Sequence, residues 1–330
     1  MEIGSKGLNL RQSLPGLVTS VANQLRAYIR DEVPEIPPKE KIADRFLFGL
    51  AQPLIGLRVV VRDRQLLKSA LIPAVMLGLF CALVALVSAH SSPLKFFKRF
   101  YGLFAALAPM PSIVFARHYG RLAAAAHQKL GFGECLPRRE PLRLVIRRAV
   151  YQAVLIAIVS APTVGILRLF PVFGRPLATI AAALWALHWV VIDAFDDARI
   201  LHPGETLKEV ELKSESEPQA WFVRAFYRAA PRLPLGTRLL RRFARRCDRL
   251  SIPWREEMAI AEREPPAVTG FGLTTAALLA TPVLNLLFRP IIIVASVHLL
   301  GHLSRDTQIP LGETPSAELP SESAQGSAEG

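Results

Sequence analysis

The sequence predicts an all-α integral membrane protein, and three observations carry the prediction. Hydrophobic residues make up 51% of the 330, charged residues only 20%, and the mean hydropathy is +0.31, on the apolar side for a chain at home in water. The apolar residues gather into long windows free of charge. The excess of base, 40 Lys+Arg against 27 Asp+Glu for a formal +13 and a pI near 10.2, borders those windows instead of forming one groove.

In chain order, residues 1–45 read as an amphipathic arm and a Pro-rich linker. Leu14, Leu17, Val18, Val21, Leu25 and Tyr28 share one helical face, and Asp31-Glu-Val-Pro-Glu-Ile-Pro-Pro38 follows. The first 20 residues lack the compact apolar region of a secretory signal. The membrane domain is placed at 46–304. Its charge-free windows are Ser69–Leu94 (26 residues), Phe100–Ala116 (17), Ala149–Leu167 (19), Pro176–Ile192 (17), Pro265–Phe288 (24) and Pro290–Ser304 (15). A bilayer core of about 30 Å needs about 20 helical residues, so the longest windows span and the shortest fall short. Windows apolar on every face belong in lipid or deep in a core.

The last four windows form two pairs. Those at about 149–192 meet at Arg168-Leu-Phe-Pro-Val-Phe-Gly-Arg175, and those at about 265–304 at Arg289-Pro290. Proline and glycine break helices, so each pair reads as a hairpin, either fully spanning or re-entrant. In the spanning case Arg168, Arg175 and Arg289 cap helices at the far surface. In the re-entrant case they approach the midplane beside half-helix N-termini, where an anion is favoured. If every window crosses, 34 of the 40 bases fall on one side, which predicts cytoplasmic termini.

Between the hairpins lies a basic insertion at about 205–255. Its segment Thr237–Leu250 sets Leu239, Leu240, Phe243, Cys247 and Leu250 on one helical face, with Arg238, Arg241, Arg242, Arg245, Arg246 and Arg249 elsewhere. Such a helix either lies in the headgroup layer or caps the cytoplasmic face. Residues 305–330, acidic and rich in Ser, Pro and Gly, read as a disordered tail.

Chemistry is sparse. Cys81, Cys135 and Cys247 are odd in number and far apart, which excludes a disulfide framework. No nucleotide-binding or nucleophile-elbow motif occurs, so no enzyme, cofactor or ATP coupling is expected. His298 and His302 share a helix face, but without HExxH or a nearby carboxylate they read as a packing pair and no metal site is expected. Trp185, His188 and Trp189, just ahead of Asp193, Asp196 and Asp197, read as an aromatic belt, with a proton relay as the alternative. The base excess suits anionic lipid headgroups, and nucleic acid is not expected as a partner.

Several short pieces together resemble the family of CysZ-type sulfate permeases and etoposide-induced protein 2.4. They are Phe46-Leu-Phe-Gly-Leu-Ala-Gln-Pro-Leu54 ahead of Leu71-Ile-Pro73, the Phe170-Pro171-Val-Phe-Gly174 tip, Leu184–Asp193, and Thr281-Pro282-Val-Leu-Asn285 followed by Pro290. The resemblance covers roughly 46–304 and implies two long transmembrane helices plus two hairpins, possible homo-oligomers in the inner membrane, and a pathway for an inorganic anion, sulfate first. Family members carry a Gly-Leu-Arg-Arg turn before the Leu-Ile-Pro helix. Here Gln65, Leu66, Leu67 and Lys68 stand there, leaving one cation. The implied anion-interacting residues are Lys68, Arg168, Arg175 and Arg289, with Pro171, Gly174, Pro282, Asn285 and Pro290 at the hairpin tips. A non-transporting scaffold that binds lipid or a partner is the alternative.

Overall fold

The computed structural model describes residues 22–23, 26–28, 30, 36–88, 92–107, 111–138, 140–170, 173–232, 237–280 and 282–307. Most of the amphipathic arm, most of the tail and Pro171 lie outside the described residues. The chain folds as helices: α1 (Ile42–Arg62), α2 (Arg64–Ser88), α3 (Pro93–Leu107), α4 (Ala116–Lys129), α5 (Leu142–Arg168), α6 (Gly174–Asp197), α7 (Leu207–Ser216), α8 (Trp221–Ala229), α9 (Thr237–Ser251), α10 (Arg255–Arg263), α11 (Pro265–Leu279) and α12 (Pro282–Thr307). A two-residue antiparallel ladder pairs Leu136 with Leu201 and Pro137 with Ile200.

Four of the described helices hold segments long and apolar enough to cross a membrane: Arg64–Val87, Leu142–Arg168, Gly174–Asp197 and Leu287–Arg305. The first two leave most of their apolar side chains uncovered. Leu79, Leu83, Leu86 and Val87 on α2, and Ile146, Val150 and Ile166 on α5, are exposed, an arrangement that belongs in hydrocarbon. The chain is a multi-pass helical membrane protein.

Three of the six windows do not form single helices. The 69–94 window leaves α2 at Ser88 and its last residues open α3. The 100–116 window breaks after Leu107, passes through a single turn at Pro111–Val114, and resumes as α4. Together α3 and α4 retrace α2: Phe104 packs on Cys81, His118 Nε2 lies 2.6 Å from the Ser69 carbonyl, and Lys129 reaches Asp63 at 3.0 Å. The 265–288 window ends its first helix at Leu279, and Pro282 opens α12, a position where its missing N–H costs nothing.

Arg289 and Pro290 therefore correct the expectation of a turn: they lie inside α12, not at a tip. Proline removes one helical hydrogen bond there. Tertiary burial outweighs that loss, because Ile291 to Val297 are buried on every side. Around α12 the core forms two apolar groups. One joins it to α1, α6 and α11 through Phe48, Phe195, Phe271 and Leu299. The other joins it to α2 and α4 through Leu66, Leu122 and Val294.

Glycines set the spacing of α1 and α11. A Cβ on Gly49 would lie 1.9 Å from the Ala267 carbonyl oxygen, and one on Gly270 2.1 Å from that of Phe46. Thr274 Oγ1 donates to the Leu50 carbonyl at 2.9 Å across the same contact. The partners keep a nearly constant offset in number, so the two helices run parallel, in the manner of small-residue packing in membranes.

The basic insertion packs on protein along part of its apolar face. On α9, Ala244 and Cys247 are buried and the Phe243 ring sits 5.1 Å from Phe226 of α8. Burial pushes the Cys247 thiol up to about 11. The middle of the apolar face is covered by protein, Leu239 at its start is exposed, and the arginines are exposed.

Candidate functional site

Helix α6 ends in Asp193, Asp196 and Asp197, spaced i, i+3, i+4 and so on one side of its last turns. A helix C-terminus already carries partial negative charge, so three carboxylates there need cations close by. Arginines from four segments supply them. The short ladder holds Arg138 beside α6, where its Nη1 donates to Asp196 at 2.9 Å. Arg148, two turns into α5, also donates to Asp196, and to Glu140 at 3.1 Å. Arg289 of α12 donates through Nη2 to Asp193 at 2.6 Å and to Asp197 at 2.7 Å, and through Nε to Asp197 at 3.0 Å. Arg199 turns away toward α10, donating to Glu257 at 3.0 Å and pairing with Glu256. Burial pushes the Glu257 carboxyl above the usual range, against the pull of Arg199.

These groups wall a cavity of about 350 Å³ between α4, α5, α6 and α12. Five arginines line it, Arg117, Arg138, Arg148, Arg199 and Arg289, against four carboxylates, Glu140, Asp193, Asp196 and Asp197. Arg117 is exposed and makes no ion pair among the described residues. The Nε atoms of Arg138 and Arg148, the Asn285 side-chain oxygen and the Tyr119 hydroxyl are buried with no hydrogen-bond partner among the described residues. The Arg148 guanidinium lies 5.5 Å from the Trp254 ring centre, a cation–π contact that orients it. The cavity can hold a small polar or anionic species, with guanidinium donors already desolvated around it.

Of the residues singled out from sequence, Arg289 and Asn285 meet in this cavity. Lys68, Arg168 and Arg175 are exposed and do not line it. Arg168 closes α5 and Arg175 follows Gly174 at the start of α6, at the opposite end of that pair from the aspartates. Gly174 is buried, and a Cβ there would meet the Leu167 carbonyl oxygen at 2.2 Å, so this turn requires glycine. Pro282 starts α12. His298 Nδ1 lies 2.7 Å from the Gln52 side-chain oxygen and its ring meets that of His302 edge-on at 4.6 Å. Among the described residues no group of three or more His, Cys, Asp or Glu is arranged to hold a metal.

Sequence reasoning missed Arg138, Arg148 and Arg199, counting them only as bordering charge. The signal was the Asp193/Asp196/Asp197 spacing after an apolar run, which demands partner cations. Compared with known proteins, the chain matches no family model, no curated protein and no solved structure.

Proposed function

We propose that this multi-pass membrane protein passes a small inorganic anion, sulfate being the candidate implied by its resemblance to CysZ-type permeases, without ATP coupling or a catalytic step. The observation that carries the reading is the arginine-lined cavity beside lipid-exposed helices. Buried ionisable groups at the end of a membrane helix bundle are costly, and such groups mark ion paths. An oxyanion entering here exchanges places with a carboxylate on Arg138 or Arg148, so each buried guanidinium keeps a partner throughout. In the family plan α2 is one long transmembrane helix, the α3–α4 leg returns beside it, and α5–α6 and α11–α12 are the two hairpins. The aspartate end of α6 and both termini then face the cytoplasm across the inner membrane, in a homo-oligomer.

The test is uptake of radiolabelled sulfate into liposomes holding the purified chain. The expected outcome is uptake above empty liposomes, reduced about tenfold by Arg148→Gln, the factor that goes with about 1.4 kcal/mol. A correctly inserted protein with no uptake, and no rescue of a permease-deficient cysteine auxotroph, overturns the reading.

One observation favours a second reading, a non-transporting scaffold. Each of Arg138, Arg148, Arg199 and Arg289 already holds a carboxylate, so the network also works as a static clamp joining α5, α6, α10 and α12. Loss of fold, with no flux in the native protein, is its signature.

A further inference from the structure

We propose that a cleft between the start of α5 and the end of α9 binds the phosphate of an anionic phospholipid headgroup. The cleft encloses about 250 Å³ and lies behind the clamp, sharing Arg138, Arg148 and Arg199 as its inner wall. Those three are committed to Asp196, Glu140, Glu256 and Glu257. Two further arginines line it, Arg147 and Arg249, both exposed and neither ion-paired among the described residues.

Position in the membrane identifies the occupant. Ile146, Val150 and Val154 are exposed on α5, and the charge-free stretch of that helix begins at Ala149. Arg147 therefore stands where α5 leaves the hydrocarbon, at headgroup height, with its guanidinium 6.0 Å from the centre of the Tyr151 ring. Arginine with an adjacent tyrosine suits that layer, since each has an apolar body and a polar tip. Arg249 belongs to an exposed stripe on α9 formed by Arg238, Arg242, Arg245 and Arg249 at i, i+4, i+7, i+11. Ala244 and Cys247, on the other side of α9, are buried, so the stripe extends the site along the membrane surface. Two guanidiniums converging on one cleft match a phosphodiester, each able to donate two parallel hydrogen bonds. Acyl chains then lie on the uncovered apolar face of α5. Glu211 and Glu215 line the α7 side of the cleft and orient the phosphate toward the arginines by repulsion. The proposal needs the membrane topology and is independent of whether any ion crosses.

The test uses the full chain in detergent, titrated with an equimolar mixture of phosphatidylglycerol and phosphatidylcholine and read by native mass spectrometry. The expected result is a preference for phosphatidylglycerol of about thirtyfold, the size expected for two arginines at an anionic surface. R147Q/R249Q brings the ratio close to one, R147K/R249K restores part of it, and K95Q/K98Q leaves it unchanged. If the double glutamine variant no longer melts cooperatively, R249Q alone, on an exposed side chain, decides by the same ratio. No preference in the native chain, or a preference that survives R147Q/R249Q, overturns the proposal. Inorganic phosphate or glycerol 3-phosphate displacing the lipid at millimolar concentration also overturns it, assigning the cleft to a soluble phosphate.

Discussion

Single glycines decide how closely α1 and α11 approach. At Gly270 a methyl group would lie 2.1 Å from the Phe46 carbonyl oxygen and 2.9 Å from the Leu50 nitrogen. Both obstacles are backbone, which cannot rotate aside, so the helices must part along their length. Overpacking of this kind costs about 1–3 kcal/mol. Gly270→Ala is therefore expected to lower the melting temperature in detergent by several degrees. Gly78→Ala is the control: nothing lies within 4 Å of that Cβ, and alanine in a helix interior gains about 0.5–1 kcal/mol over glycine. Equal melting of the two variants would contradict the packing described. At this scale the sequence was only partly readable. Gly174 stood out because it follows a proline at a tight turn, whereas Gly49 and Gly270 sit within ordinary apolar helix and reveal their role only against a partner backbone.

Helix α2 begins at a cap that the sequence left unremarked. Asp63 Oδ1 accepts from the backbone nitrogens of Gln65 at 2.8 Å and Leu66 at 3.1 Å, satisfying donors that the first turn otherwise leaves open. The hydrogen bond from Leu66, then Lys129, hold its carboxyl below the usual range. A carboxylate with a depressed native pKa contributes stability above its unfolded value, and that contribution disappears as pH falls through the native one. Asp63→Ala is expected to cost about 1 kcal/mol at neutral pH. The gap between variant and native melting should close as the pH drops below about 4; a gap that persists in acid would contradict the cap. Element boundaries were the least legible part of the sequence. Windows were read from charge alone, so the turn was placed at Arg289-Pro290, whereas the chain turns ahead of Pro282, which the resemblance had set among the tip residues. Proline stops a helix only where nothing else holds it, and Ile291–Val297 are held by burial on all sides.

At the scale of the molecule, the class was legible and the site was not. Long uncharged windows bordered by base require lipid wherever their atoms happen to pack, and four such helices stand. The cavity brings together residues from 113 to 289, a juxtaposition that no spacing rule encodes. Arg289 was singled out for a helix tip and proved to be the tie between α6 and α12. Removing one member of a buried ion pair leaves the other charge stranded, at about 3–5 kcal/mol. Arg289→Met should destabilise the protein by that order, and adding Asp193→Asn with Asp197→Asn should recover part of the loss; no recovery would mean that the arginine acts by packing alone. The tie also sets a timetable for biosynthesis. Asp196 finds Arg138 and Arg148 already made when it leaves the ribosome, but Asp193 and Asp197 must wait more than ninety residues for Arg289. Until α12 arrives, two bare carboxylates stand at the end of a newly inserted helix, so a chain cut short of that arginine carries its own mark for disposal.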